Sequence, residues 1–265
     1  MGKLLLVGCG KMGGAMLDGW LARGLAASDV VVAEPVEALR PQKPGLAGVA
    51  SASDVTEVPQ TVVLAVKPQS MDVALADLKR FADRGALFLS IAAGKTLGYF
   101  AQHLGAGAKV VRAMPNTPAA VRQGITVATA SASVSAEERK RCHALLEAVG
   151  QVLWVDDESL MDPVTALSGS GPAYVFLLVE AMAAAGAKLG LAPEMAMQLA
   201  RATVAGSGEL LRQSPEPAAQ LRVNVTSPGG TTAEALKILM ADDGLQPVFD
   251  KALAAASRRS RELAG

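Results

Sequence analysis

Leu4-Leu5-Leu6-Val7-Gly8-Cys9-Gly10-Lys11-Met12-Gly13 opens on four apolar residues and closes on three glycines spaced G-x-G-x-x-G. The apolar run reads as a short buried strand. Residues 11–23 read as a helix that stops at Gly24. Strand, glycine loop and helix in this order form a dinucleotide-binding fingerprint. Gly8 allows the tight turn out of the strand. Gly10 lacks a Cβ, so a pyrophosphate can approach the backbone, and Gly13 lets the helix pack close to the strand. The anion then sits on unpaired N–H groups where the helix dipole favours negative charge.

Moving outward, Val30-Val31-Val32-Ala33 is a β-branched run and a second strand, ending at Glu34-Pro35. Glu34 stands 21 positions after Gly13, close to where an acidic residue of this fold reaches the adenosine ribose. A carboxylate there accepts hydrogen bonds from the 2′-hydroxyl and repels a 2′-phosphate. Residues 49–52 are expected to form a third strand. Thr61-Val62-Val63-Leu64-Ala65-Val66 is the clearest strand, and Lys67-Pro68-Gln69 follows at its carboxyl end, the edge where parallel sheets bind ligands. Residues 69–81 read as a helix, residues 86–91 as a fifth strand, and Ala92-Ala93-Gly94 as a small-residue turn that a cofactor can approach. A further helix runs to Leu104. Lys109-Val110-Val111-Arg112-Ala113-Met114 is another strand, closed by the stiff turn Pro115-Asn116-Thr117-Pro118. Residues 126–130 and 151–155 complete the strands, and Ser135-Ala136-Glu137-Glu138 is a capping box opening a helix between them. This alternation predicts an α/β domain over residues 1–156, Rossmann-like, with a mostly parallel sheet.

Past Asp156 no convincing strand follows, and residues 157–265 are expected to be an all-helical domain. Residues 163–189 read as a helix apolar nearly all round, interrupted by Ser168-Gly169-Ser170-Gly171-Pro172. Such a helix must be buried, and in so short a domain that implies burial against another subunit. Residues 193–212 form a second helix. Thr231-Thr232-Ala233-Glu234 reads as a capping box with Thr231 as the cap. The loop before it, Ser227-Pro228-Gly229-Gly230, can hold an anion, most simply a carboxylate, at that helix start. The Thr232 hydroxyl is then free beside the anion.

Composition narrows the field. Twenty-five basic residues balance 25 acidic ones, which argues against the clustered cations of a nucleic-acid surface. Two cysteines suit a reducing interior rather than a disulfide framework, and two histidines make a zinc site unlooked for, so no metal is expected. The longest charge-free run lies between Asp162 and Glu180, short of the ~20 apolar residues that a membrane span needs. A soluble cytoplasmic protein is expected.

Gly8-Cys9-Gly10-Lys11-Met12-Gly13, Ala65-Val66-Lys67-Pro68, Ser90-Ile91-Ala92-Ala93-Gly94 and Arg112-Ala113-Met114-Pro115-Asn116-Thr117-Pro118 occur in that order. Leu167-Ser168-Gly169-Ser170-Gly171-Pro172-Ala173-Tyr174 and Asn224-Val225-Thr226-Ser227-Pro228-Gly229-Gly230-Thr231-Thr232 follow. Over its whole length the chain resembles the pyrroline-5-carboxylate reductases. The resemblance implies reduction of the C=N bond of Δ1-pyrroline-5-carboxylate to L-proline with hydride from NADPH or NADH. It implies cofactor binding by Val7 to Gly13, Glu34, Ala65 to Pro68, Ile91, Ala92, Ala93, Asn116 and Asn224. Substrate would be held by Glu158, Ser227, Gly229, Gly230, Thr231 and Thr232, with the Thr232 hydroxyl facing the ring nitrogen. It also implies a homodimer through the helical domain, with decamers built from dimers.

Two positions depart from the family pattern. Glu34 stands where members preferring NADPH carry small polar or basic residues, which favours NADH. Ser51-Ala52-Ser53 replaces an asparagine that often contacts ribose. Two other readings fit parts of the chain. A β-hydroxyacid dehydrogenase shares the domain order but needs a lysine early in the first long helix, where this chain has none until Lys188. A non-catalytic NAD(P)-sensing module would keep the Gly8 loop without needing Thr232.

Overall fold

The computed structural model describes residues 3–264. Runs rich in Val and Leu supply the strands, as expected for a sheet buried on both faces. They are β1 (Leu4–Val7), β2 (Val30–Ala33), β3 (Ala47–Val49), β4 (Thr61–Leu64), β5 (Leu87–Ser90), β6 (Lys109–Met114), β7 (Gly124–Ala130) and β8 (Gly150–Trp154). The sheet order is β3-β2-β1-β4-β5-β6-β7-β8. All neighbours are parallel except β6 and β7. That reversal follows from the turn after β6, where a 3-10 stretch, Thr117–Val121, ends at Arg122 in the left-handed region (φ 57°) and sends the chain back. The α/β, mostly parallel architecture is the one the alternating pattern predicts.

Side chains alternate between two cores. Leu4 and Leu6 face α1 (Lys11–Ala22) and α4 (Ala136–Glu147), packing with Met16, Leu17, Trp20 and Leu146. Leu5 and Val7 face α2 (Met71–Ala82) and α3 (Leu97–Leu104), packing with Leu75, Leu78, Phe81, Phe88 and Phe100. Each such fully buried side chain contributes about 1.5–3 kcal/mol. Trp20 Nε1 donates to the Leu145 carbonyl at 2.8 Å, tying α1 to α4. His103 and the Tyr99 hydroxyl on α3 both meet Asp72 on α2. His143 accepts from Trp154 Nε1 at 3.2 Å. Both histidines thus join elements.

Local differences from the sequence reading have identifiable causes. The third strand ends at Val49, and Ser51-Ala52-Ser53 forms a capped 3-10 turn instead of a strand end. Ser51 Oγ accepts from Ser53 N at 3.2 Å, and Asp54 accepts from Ser51 N at 3.1 Å. Arg80 then donates to the carbonyls of Ala52 and Val55. The capping box at Ser135 forms as read, with both reciprocal bonds present.

The chain divides into two compact units, Met1–Gly169 with Ala256–Gly265, and Ser170–Ala255. In the first, a 3-10 turn at Glu158–Leu160 leads into α5 (Met161–Val164) and a π-helical turn, Thr165–Gly169. The second is helical: α6 (Gly171–Lys188), α7 (Pro193–Gln213), α8 (Ala218–Asn224), α9 (Thr231–Leu239) and most of α10 (Leu245–Ala264). Within it α6 lies along α7, and Tyr174 meets Phe249 edge-on with ring centroids 6.2 Å apart.

On a single chain α6 is largely bare: Phe176 and Leu177 are each 62% exposed, and Val175 and Leu178 are exposed too. The helical run Glu158–Lys188 is also long and apolar enough to cross a membrane by length and composition. Counting only the charge-free stretch had made it too short. The predicted interruption at Ser168–Pro172 falls where the π turn ends at Gly169 and α6 begins at Gly171, with Ser170 as its cap.

Candidate active site

The carboxyl edge of the sheet gathers most of the residues singled out in the first unit. Gly8 leaves β1 at φ +91°, and an added Cβ there would lie 2.8 Å from the Ala65 carbonyl oxygen. A Cβ on Gly13 would lie 2.4 Å from Gly8 O. These contacts set α1 hard against β1. Around Gly10 nothing stands within 4 Å of an added Cβ. Gly10 caps α1 without a side-chain bond, and the first turn carries no acidic residue. Among the described residues, the N–H groups of Gly10, Lys11 and Met12 have no protein acceptor. Open backbone, free donors and a helix dipole fit a nucleotide pyrophosphate.

Glu34 is buried, not merely at a strand end. Its Oε2 accepts from Cys9 N at 2.8 Å and its Oε1 from Val36 N at 3.0 Å. The carboxylate therefore locks the glycine loop to the turn after β2. A carboxylate offers about four lone-pair directions, so acceptor capacity remains for a ribose. Arg40 was missed by the sequence reading. Its Nε donates to Glu34 O at 2.6 Å and its Nη2 to Pro35 O at 3.1 Å.

After β4, Ala65 N still bonds Val7 O at 2.8 Å, and Lys67, exposed, opens the 3-10 turn Pro68–Ser70. Beyond β5, Ile91 N bonds Leu64 O and Ala92 N reaches Ser90 Oγ at 3.3 Å. Asn116, read as a cofactor contact, has its amide engaged within the fold. Its Oδ1 accepts from Ile125 N at 3.0 Å, and its Nδ2 reaches Ser168 Oγ at 3.4 Å. It joins the turn after β6 to β7 and to the π segment.

Glu158 was expected near substrate. Its Oε1 accepts from Arg112 Nη1 at 2.7 Å and from Leu97 N, the first residue of α3, at 2.8 Å. Arg112 is almost wholly buried. The sequence reading passed over it, although a lone cation inside Val-Val-Arg-Ala-Met is itself a signal, since buried charges are paired.

The second unit carries the remaining residues. The helix after the glycine pair begins at Thr231, but Gly230 is its cap and makes no side-chain bond. The capping box read from Thr231 to Glu234 is therefore absent, and Glu234 pairs with Lys237 at 2.6 Å. Gly230 N closes a turn on Ser227 O at 3.0 Å, which places the cap one residue earlier. Thr231 and Thr232 become the first two helical residues, and neither hydroxyl has a partner among the described residues. Asn224 ends α8, and its amide is held inside this unit by Gln220 at 2.8 Å and Glu216 at 2.9 Å.

Neither cysteine is poised for chemistry. Burial, then the Glu34 charge, raises the Cys9 thiol, and burial pushes Cys142 up from an ordinary 9.0 to about 12. Thiol reagents at neutral pH should label neither in the folded protein and both after unfolding, a difference read by mass spectrometry. The unfolded Cys142 ionises first, so its contribution to stability is full below pH 9.0 and is lost as the pH rises toward about 12.

Residues 158–263 match the family model described as pyrroline-5-carboxylate reductase dimerisation, and residues 3–94 one described as NADP oxidoreductase, coenzyme F420-dependent. The pyrroline-5-carboxylate reductase of Pseudomonas aeruginosa is 41% identical over 265 residues, spanning 99% of this chain and 97% of its own. The chain belongs to the pyrroline-5-carboxylate reductase family. The structure of the Coxiella burnetii reductase matches with a TM-score of 0.91 at 34% identity, covering 100% of this chain and 99% of that one. The Plasmodium falciparum enzyme, solved with NADP bound, matches with a TM-score of 0.84 at 30% identity, covering 99% and 98%. The bare α6 face lies within the segment that matches the family's dimerisation domain.

Proposed function

We propose that the protein reduces Δ1-pyrroline-5-carboxylate to L-proline, the last step of proline biosynthesis, with NADPH or NADH as hydride donor. The observation that carries this is the full-length relationship at 41% identity. It is supported by two helix starts, at Lys11 and Thr231, each preceded by a glycine cap that makes no side-chain bond.

The bound nicotinamide supplies the hydride; the chain supplies position and field. Donors at Gly10, Lys11 and Met12 hold the pyrophosphate, with Val7 to Gly13, Ala65 to Pro68 and Ile91 to Ala93 lining the cofactor. Asn116 sets the neighbouring turn, and Asn224, held by Gln220 and Glu216, is assigned to the cofactor from the family resemblance alone. The Ser227, Gly229 and Gly230 backbone with Thr231 binds the substrate carboxylate at the start of α9. The Thr232 hydroxyl orients the ring nitrogen. An iminium accepts hydride more readily than a neutral imine, so holding the protonated ring in line suffices and no nucleophile is required.

Glu34 favours NADH. Its carboxylate is fixed at the ribose edge by Cys9 N and Val36 N, and a 2′-phosphate there would meet a buried negative charge. The assembly is a homodimer, with decamers built from dimers; the substrate is a small molecule, the setting is cytoplasmic, and no nucleic acid, membrane or metal takes part. The test follows NADH and NADPH oxidation side by side with Δ1-pyrroline-5-carboxylate. The expected result is a kcat/KM about tenfold or more higher with NADH, the equivalent of one charged contact. Faster NADPH turnover removes the Glu34 reading and keeps the reductase. No turnover with either nucleotide removes the reductase.

A further inference from the structure

We propose that Glu158 is a positioning residue for the Ile91–Gly94 loop, acting through Arg112 and the start of α3 rather than by direct contact with substrate. The inference rests on the reductase reading, in which that loop lines the cofactor.

The loop is tied at both ends and braced in the middle. At its start, Ala92 N reaches the buried Ser90 hydroxyl, and Ser90 pairs in register with Arg112 on β6. At its end, Thr96 caps α3 by accepting from Tyr99 N at 3.1 Å. Glu158 Oε1 completes that cap on Leu97 N while also accepting from Arg112 Nη1, at 2.8 and 2.7 Å. One carboxylate oxygen thus fixes the helix that leaves the loop to the strand beside the one that enters it. A carboxylate at a helix N-terminus is also stabilised by the dipole.

The brace comes from the end of α10. Gly94 turns at φ +73°, and an added Cβ would lie 3.2 Å from the Leu263 carbonyl oxygen. That stretch of α10 is anchored by Ser260, buried, whose Oγ donates to Asp162 Oδ1 at 2.6 Å. Glu158 and Asp162 belong to one short segment, the 3-10 turn and α5. A single segment therefore controls both the exit of the loop and the backbone packed on its glycine.

Direct substrate contact and positioning make opposite predictions. In Glu158→Gln the amide oxygen can still accept from both donors, but the charge that holds the Arg112 guanidinium is gone. Positioning predicts that the Kd for NADPH and for NADH, read by nucleotide fluorescence without substrate, rises about tenfold, the equivalent of one charge-assisted contact. The KM for Δ1-pyrroline-5-carboxylate should then stay within about twofold, as expected for a site that does not touch the change. Ser260→Ala leaves the ion pair intact and removes only the α10 anchor. It should raise both nucleotide Kd values about threefold with the same unaltered substrate KM, and it keeps the test open if Glu158→Gln does not fold. Unchanged nucleotide Kd in the folded variants, or a raised substrate KM alone, overturns the proposal. Wild-type protein that binds neither nucleotide overturns the reductase reading and this inference with it.

Discussion

Gly13→Ala is expected to weaken nucleotide binding by about 100-fold or more, the loss that an ångström-scale misplacement can produce, and to lower stability as well. The added Cβ would sit 2.4 Å from Gly8 O and 3.1 Å from Ala65 Cβ. The nearest atom is a backbone carbonyl, so no side-chain rotation relieves the clash. Gly8 cannot retreat, because its own Cα side lies against the Ala65 carbonyl, 2.8 Å from where a Cβ would stand. Relief requires α1 to back away from β1, carrying the Gly10, Lys11 and Met12 donors out of line with the pyrophosphate. Overpacking of this kind costs about 1–3 kcal/mol. Fluorescence titration with NADH and thermal unfolding read the two effects separately. Gly14→Ala is the control, since its added Cβ meets nothing nearer than Cys9 O at 3.9 Å. A helical glycine with room for a Cβ gains up to about 1 kcal/mol when replaced by alanine. If Gly13→Ala bound nucleotide as tightly as that control, close packing would not be what sets the phosphate site.

The first unit was legible because its signals are local and repeated. The strand at Leu4–Val7 is bounded on one side by glycines and buried on both faces, so an uninterrupted apolar run could mean little else. The capping box at Ser135 formed because its three-residue geometry needs no distant partner. Where a distant partner decides, the sequence was silent. The carboxylate of Glu34 turned inward because Cys9 N, 25 positions away, offered an unpaired donor. Asn116 and Glu158, read as ligand contacts, also bond backbone from other elements, ties that the sequence does not announce. Arg112 is the clearest miss: its position in an apolar strand demanded a partner, and that partner lies 46 positions on. The threonines at the start of α9 show the opposite failure. S/T-x-x-E gave the right helix but the wrong cap, because the Gly230 turn onto Ser227 took the cap position first. The bare α6 face was legible too: an apolar helix in so short a helical region has too little of its own chain to cover it, which pointed to another subunit, and on the single chain that face is exposed.

That displaced cap separates the roles of the two threonines, and Thr232→Ala is the second large effect expected. Had Thr231 been the cap, replacing it with alanine would cost about 1 kcal/mol of stability. With Gly230 in that place, Thr231→Ala should leave the melting temperature nearly unchanged. Its effect should fall on the KM for Δ1-pyrroline-5-carboxylate through the lost contact to the carboxylate. Thr232 is the second helical residue, and its hydroxyl is bonded to nothing among the described residues. Removing it therefore costs the fold little and leaves the protonated ring nitrogen without the hydroxyl that orients it toward the hydride donor. A preorganised donor or acceptor at a reacting centre is worth about 10²-fold in kcat or more, and that is the fall expected for Thr232→Ala. Cofactor affinity should move by no more than about twofold, because the residue lies outside the nucleotide contacts. Single-turnover hydride transfer at saturating nucleotide separates the chemical step from product release. A variant with wild-type hydride transfer would remove Thr232 from the mechanism and leave positioning of the ring to the Ser227–Gly230 backbone alone.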